Sequence, residues 1–215
     1  MTTTGKLWLF DLDGTLVDSR QDIATAANAA LRAVGLAERP IEVLSTFVGR
    51  GARRLIEQAC GPGNERHVEA ALKAYMAFYG EHVCVHSRLY PGIRELLDRA
   101  PVPMGVVTNK PSALARPLLA ALGVGDRFFA IDGQGDTPAQ KPDPEGVLVL
   151  CRKKGVHPRD VRFVGDTRID AETARNAEIP FVGVTWGFGT EAQMREVGGE
   201  RFATTADELW ALLHG

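Results

Sequence analysis

The chain reads as an α/β protein built on a parallel sheet, and three observations carry that expectation. Four short apolar runs are spread along it: Leu7-Trp8-Leu9-Phe10, Pro103-Met104-Gly105-Val106-Val107-Thr108, Val161-Arg162-Phe163-Val164-Gly165-Asp166 and Phe181-Val182-Gly183-Val184-Thr185. Helical patterns separate the later runs, as a sheet covered on both faces requires. The stretch 19–86, by contrast, lacks strand-like runs and is rich in Ala, Leu, Arg and Glu.

Taken in order, the first strand is expected at 6–11. Ser19 suits the cap of a helix carrying Ile23, Ala27, Ala30, Leu31 and Val34 at helical spacing and closed by Gly35. Pro40 fits the first turn of a second helix that stops near Gly49. Residues 51–60 read as a third, ended by Gly61-Pro62-Gly63. A fourth runs from Asn64 towards Val83 with Val68, Leu72, Tyr75, Met76 and Tyr79 as its apolar stripe. Strands follow at 103–108, at a short run near Phe128-Ala130-Ile131, at 161–166 and at 181–185. Gly123-Val124-Gly125 stops a helix, because no GxGxxG follows a strand there. The expected architecture is α/β: a Rossmann-like parallel sheet core covered by helices (residues 1–18 and 87–215), with an inserted small α-helical cap domain (19–86). Its hinges fall near 17–19 and 86–91.

At 215 residues the chain suits one domain with an insertion. Apolar residues make up 45% and charged residues 24%, with a net charge of −2. That balance gives no electrostatic case for a nucleic-acid or membrane partner. No apolar run approaches the ~18 residues of a membrane span. The opening Met-Thr-Thr-Thr-Gly-Lys has no secretory character. Cys60, Cys84 and Cys151 are odd in number, scattered and without a CxxC pair, which argues against disulfides and zinc and for a cytoplasmic setting. A monomer or a homodimer is expected.

Chemistry concentrates where the runs end. Asp11 and Asp13 stand one residue apart after the first run, with Gly14 behind them. Residues i and i+2 of a strand share a side, so the two carboxylates converge at a sheet's carboxyl end, where open α/β folds place ligands. Two adjacent carboxylates need a cation, a shared proton or basic partners. An ordinary Asp-Gly turn is the alternative. Thr108-Asn109-Lys110-Pro111 brings a hydroxyl and an amide to a second strand end. Lys141-Pro142-Asp143-Pro144 sets a lysine before a proline-initiated helix, and Gly165-Asp166-Thr167-Arg168-Ile169-Asp170 sets two carboxylates one helical turn apart.

The ordered set DxDGTLVDS, VTNK, KPDP and GDTxxD resembles the haloacid dehalogenase-like hydrolase superfamily over residues 6–213. The helical insertion is similar to that of its small-cap members. Phe47-Val48-Gly49-Arg50-Gly51-Ala52 and Thr185-Trp186-Gly187-Phe188-Gly189 resemble loops of the phosphoglycolate phosphatase-like branch. The resemblance implies an aspartyl-phosphate mechanism, with Asp11 as nucleophile and Asp13 as general acid and base. It implies Mg²⁺ on Asp11, the Asp13 backbone carbonyl and Asp166, with Asp170 behind them. Thr108 and Lys141 would hold phosphoryl oxygens; for Asn109 a phosphate contact and a helix cap stay equally open. The implied partner is a small phosphorylated metabolite, 2-phosphoglycolate first. Phosphosugars such as N-acetylmuramic acid 6-phosphate, pyrophosphate and phosphomutase chemistry stand beside it.

Asp13 and Asp166 disfavour dehalogenation, which in this superfamily uses neither a metal nor a second aspartate in the first motif. A phosphonatase needs a cap lysine, and only Lys73 falls in the proposed cap. Arg50, Arg53 and Arg54 read either as a clamp for a substrate carboxylate, Arg50 foremost, or as a solvated face beside Glu57. The five histidines are dispersed and pair with no second ligand. Asp18 reads as a flap residue or a helix cap, and Trp186 as local packing. A non-catalytic phosphoryl-binding protein is the alternative from another class; it would usually lack Asp11, Asp13, Lys141 or Asp166.

Overall fold

Alternation along the first strand, β1 (Leu7–Phe10), divides the apolar core into two. Trp8 and Phe10 join Leu96, Val106, Leu118 and Val164 on one face, while Leu7 and Leu9 join Val147, Leu150 and Phe163 on the other. The computed structural model describes residues 6–137 and 139–214.

After β1 the chain makes the two-residue strand β2 (Val17–Asp18) and then four helices, α1 (Arg20–Ala33), α2 (Ile41–Ser45), α3 (Gly51–Cys60) and α4 (Val68–Glu81). It returns through β3 (Arg88–Leu89), which pairs antiparallel with β2, and α5 (Ile93–Arg99). The remainder alternates: β4 (Met104–Pro111), α6 (Ser112–Ala121), β5 (Ala130–Gln134), α7 (Glu145–Lys154), β6 (Val161–Gly165), α8 (Arg168–Asn176), β7 (Phe181–Val184), α9 (Glu191–Arg195), β8 (Phe202–Ala203) and α10 (Ala206–His214). The six-stranded sheet has the order β5-β4-β1-β6-β7-β8, and every pairing in it is parallel. The chain winds outward from β1 to β5, then crosses back to lay β6 on the other side of β1. Such a reversal opens a crevice at the carboxyl ends of the central strands.

The four helices between β2 and β3 bury an apolar cluster of their own, with Ile23, Ala27, Leu31, Leu44, Ile56 and Tyr79 at its centre. Several local expectations are revised. The second helix ends at Ser45, and residues 46–50 continue as turns, because Gly49 and Gly51 both take positive φ. The fourth helix proper starts at Val68 after a single 3-10 turn, Glu65–His67. Leu72 and Met76 of the expected stripe are only half-buried, while Ala71 lies fully inside. Ser19 occupies the helix cap position, yet its hydroxyl donates to Asp13 instead of capping. The three two-residue strands had no apolar run to announce them.

One buried carboxylate ties the two crossings of the insertion together. Asp22, in the first turn of α1, accepts the backbone N–H groups of Val85, His86 and Ser87 and the Ser87 hydroxyl, at 2.7–3.0 Å. Burial pushes its pKa up, but the Ser87 hydroxyl and these N–H groups outweigh burial and hold it below the ordinary 3.8. A lowered acid pKa gives stability that is full above the unfolded value and lost as pH falls through the folded one. Asp22→Asn is therefore expected to cost about 2 kcal/mol at neutral pH. Urea denaturation should show that difference shrinking as pH falls below 4; an equal loss at all pH values would contradict this origin.

Candidate active site

The carboxyl ends of β1, β4, β5 and β6 bring their groups to a single rim. β1 ends into Asp11, β4 carries Thr108, Asn109 and Lys110, the loop after β5 carries Lys141, and β6 ends into Asp166. Asp170 follows in the first turn of α8. Carboxylate oxygens of Asp11, Asp166 and Asp170 lie within 4.8 Å of one another, and all three residues are buried. Lys141 answers them: its Nζ sits 2.7 Å from Asp11 Oδ1 and 2.7 Å from Asp170 Oδ1.

Second contacts fix each carboxylate. Asp166 accepts the Thr15 hydroxyl and the Phe188 N–H, both at 2.7 Å. Asp170 Oδ2 accepts the N–H and hydroxyl of Thr167, completing a capping box at the start of α8. With Oδ1 on Lys141, both Asp170 oxygens are engaged, which fits a place behind the ligands. Gly14 and Gly187 close around Asp166: a Cβ at either would fall 2.2 Å from Asp166 Oδ2, and Gly14 has φ +88°. Only glycine admits that approach at that φ.

Three carboxylates share one ammonium, and the imbalance shows in the pKa values of Asp11 and Asp166. Burial, with Asp170 adding to it against Lys141, pushes Asp11 up to about 6. Burial, then Asp170 and Asp11, raises Asp166 well above the carboxylate range. Burial lowers the Lys141 pKa, but Asp11 and Asp170 overcome it and hold the ammonium above its ordinary value. An all-oxygen, net-negative pocket of this kind suits a hard divalent cation. Among the described residues this is the group of metal-ligating side chains that converges.

Asp13 lies apart from that cluster. Its carboxylate accepts the Ser19 hydroxyl at 2.6 Å and the Lys110 ammonium at 3.1 and 3.3 Å. It lines, with Asp11, Thr108, Lys110, Tyr75, Gly49 and other cap-loop residues, a cavity of about 40 Å³. Thr108 faces this cavity, and its hydroxyl oxygen accepts the Lys110 N–H at 3.2 Å.

Asn109 departs from its expected role as a helix cap. Its amide donates to Gly49 O and Lys141 O at 2.9 Å, and its carbonyl accepts the Lys141 N–H at 2.8 Å. The side chain is thus a brace between the 46–50 loop and the Lys141 backbone, and not a helix cap, while Asn109 also lines the cavity beside Asp11. The following helix begins only at Ser112.

The arginines do not join the cavity. Arg50 is exposed; Arg53 pairs with Glu69 at 2.5 Å and Arg54 with Glu57 at 2.9 Å, all on the surface. Arg50 and Arg54 instead line an outer groove with Gln140, Lys141 and Pro142. Lys73 is exposed, so it offers no desolvated amine for Schiff-base chemistry. Asp18 accepts the Arg20 N–H at 3.3 Å, and Trp186 donates to Thr15 O at 3.1 Å. Sequence reasoning missed Thr15, Ser19 as an Asp13 partner, and Lys110. A lysine directly after Thr108-Asn109, at the end of a strand run, was the available signal for the last.

The chain resembles known proteins over most of its length. The family profile of the haloacid dehalogenase-like hydrolases matches residues 8–184. A phosphoglycolate phosphatase of Haemophilus influenzae is 38% identical over 207 residues, spanning 91% of this chain and 92% of that one. One from Pseudomonas putida is 35% identical over 222 residues, spanning 99% of this chain and 80% of its own. The crystal structure of a predicted phosphoglycolate phosphatase from Haemophilus somnus 129pt superposes with a TM-score of 0.89 at 32% identity, covering 99% of this chain and 100% of that one. The chain belongs to the haloacid dehalogenase-like hydrolases, in their phosphoglycolate phosphatase-like branch.

Proposed function

We propose that this protein hydrolyses 2-phosphoglycolate through a phosphoryl group carried on Asp11. The observation that supports it most is the buried Asp11 carboxylate, held by Lys141 at 2.7 Å and lining a cavity beside Asp13. Phosphate monoesters resist hydrolysis because an anion must approach an anion, so neutralisation and positioning matter most. Lys141 and the Thr108 hydroxyl meet phosphoryl oxygens, and Asp11 attacks phosphorus. Asp13 gives its proton to the leaving alkoxide, then takes one from the water that cleaves the acyl phosphate. Asp11, Asp166 and the Asp13 backbone carbonyl are the groups that would hold Mg²⁺, which supplies charge neutralisation on the phosphoryl oxygens. Residues 19–86 act as a cap that keeps bulk water out while the ester reacts.

The likeness to phosphoglycolate phosphatases at 35–38% identity supports the glycolate ester as the substrate. Phosphate release should therefore show kcat/KM at least ~100-fold higher for 2-phosphoglycolate than for phosphosugars or pyrophosphate, about 2.7 kcal/mol of discrimination. A flat profile, or one led by a sugar phosphate, would remove the substrate assignment and leave the chemistry.

Cation binding has a readout separate from turnover. Raised acid pKa values mean the ionised cluster destabilises the metal-free fold, increasingly as pH rises from the ordinary 3.8 through about 6 for Asp11. Mg²⁺ at ~100 times its dissociation constant should add about 2.7 kcal/mol, or roughly 5–10 °C in Tm. Thermal melts with Mg²⁺ or EDTA should show a larger gain at pH 7.5 than at pH 5. No gain at either pH would count against the cation site.

A further inference from the structure

We propose that Lys110 is a positioning residue that fixes the Asp13 carboxylate, and that Tyr79 of α4 holds Lys110 in place, so that Asp13 is aligned only when α4 is docked on the core. The inference rests on the reading of Asp13 as general acid and base.

A lysine in the buried strand β4 needs a reason, since an unpaired ammonium inside a fold is driven to lose its charge. The Lys110 side chain is 2% exposed. Its ammonium donates to both Asp13 oxygens, at 3.1 and 3.3 Å, and to the Tyr79 hydroxyl at 2.7 Å. Tyr79 is fully buried within the helical cluster and sits edge-on to Tyr75, a cavity-lining residue. Ser19, just ahead of α1, adds the second clamp on Asp13 Oδ1 at 2.6 Å. Four segments therefore meet at one buried point: the loop after β1, the entry to α1, the end of α4 and the end of β4.

The arrangement matters because Asp13 must reach the leaving oxygen during phosphorylation of Asp11. Asp13 is on a loop, and nothing in its own backbone run fixes its side-chain torsions. Ser19 at 2.6 Å and Lys110 at 3.1 Å both hold Oδ1, which leaves Oδ2, 3.3 Å from the ammonium, as the oxygen to carry the proton; the Tyr79 hydroxyl limits where the long lysine stem can carry its head. Withdrawal of α4 would remove the Tyr79 contact and free the lysine. Alignment of the proton donor would then follow closure of the helical layer over a bound ester.

Single-turnover rates of Asp11 phosphorylation separate this role from a structural one. Two substrates serve as probes: 2-phosphoglycolate, whose alkoxide needs a proton, and p-nitrophenyl phosphate, whose leaving group does not. Lys110→Met should slow the first on the order of 10²-fold with substrate KM little changed, and the second by less than about fivefold. Lys110→Arg should recover part of the loss. Tyr79→Phe, which deletes one oxygen and keeps the ring, should give the same selective slowing at a smaller size and decides the matter should Lys110→Met not fold. Equal slowing of both esters, or wild-type rates in Tyr79→Phe, would overturn the proposal. Asp13→Asn distinguishes the two failures: if it too slows both esters alike, the Asp13 assignment is what falls.

Discussion

Asp11→Asn is expected to lower kcat at least about 10⁴-fold while leaving the metal-free protein no less stable than the wild type. The two halves have one cause. Asp11 is the nucleophile, and an amide cannot form the acyl phosphate. It is also one of three buried carboxylates around a single ammonium, with its pKa pushed up to about 6 by burial and Asp170. At pH 7.5 its ionised form is a burden on the fold, and the neutral amide removes it. Lys141 keeps Asp170 at 2.7 Å, so no unpaired buried charge is created. Rapid-mix kinetics and urea denaturation in EDTA check the two halves. A variant that lost activity by unfolding would contradict both.

Lys141→Met should be the most damaging single change to the metal-free fold, at about 3–5 kcal/mol. Its ammonium is buried with Asp11 and Asp170 each 2.7 Å away, and no other cation contacts either carboxylate among the described residues. Without it, the carboxylates repel, and the raised Asp11 pKa climbs further. The sign follows: stability of this variant should rise as pH falls, because protonation removes the repulsion. Mg²⁺ should restore part of it at neutral pH. Urea midpoints across pH 5–8, with and without Mg²⁺, test this; a loss that neither acid nor Mg²⁺ relieves would point to packing instead.

The groups legible in the sequence are those announced by local grammar. Asp11 and Asp166 end apolar runs, Lys141 precedes a proline-marked helix, and Asp170 lies one turn into the next. Each is placed by the secondary structure that its neighbours dictate. The parallel strands and the helical insertion were legible for the same reason. The two-residue pair β2 and β3 was not, because two residues show no alternation. The Asn109 brace and the Lys110 contacts were missed because their partners, Gly49 and Tyr79, lie 60 and 31 positions away. Asp22 escaped notice likewise: its partners are residues 85–87, brought near only by four helices packing first. Long-range polar contacts of this kind depend on tertiary approach, which periodicity does not encode. For the arginines the sequence offered a clamp or a solvated face, and the structure pairs Arg53 and Arg54 with surface glutamates, as the second alternative has it.

The central claim is that Asp11 carries the phosphoryl group, and rapid quenching tests it most directly. The protein, mixed with 2-phosphoglycolate and Mg²⁺, would be stopped in acid within the first turnover, digested and weighed by mass spectrometry. The account predicts one acid-stable, hydroxylamine-sensitive phosphoryl group on Asp11, absent from Asp11→Asn. A phosphoryl group on any other residue, or full turnover with no labelled protein at any time, would contradict it.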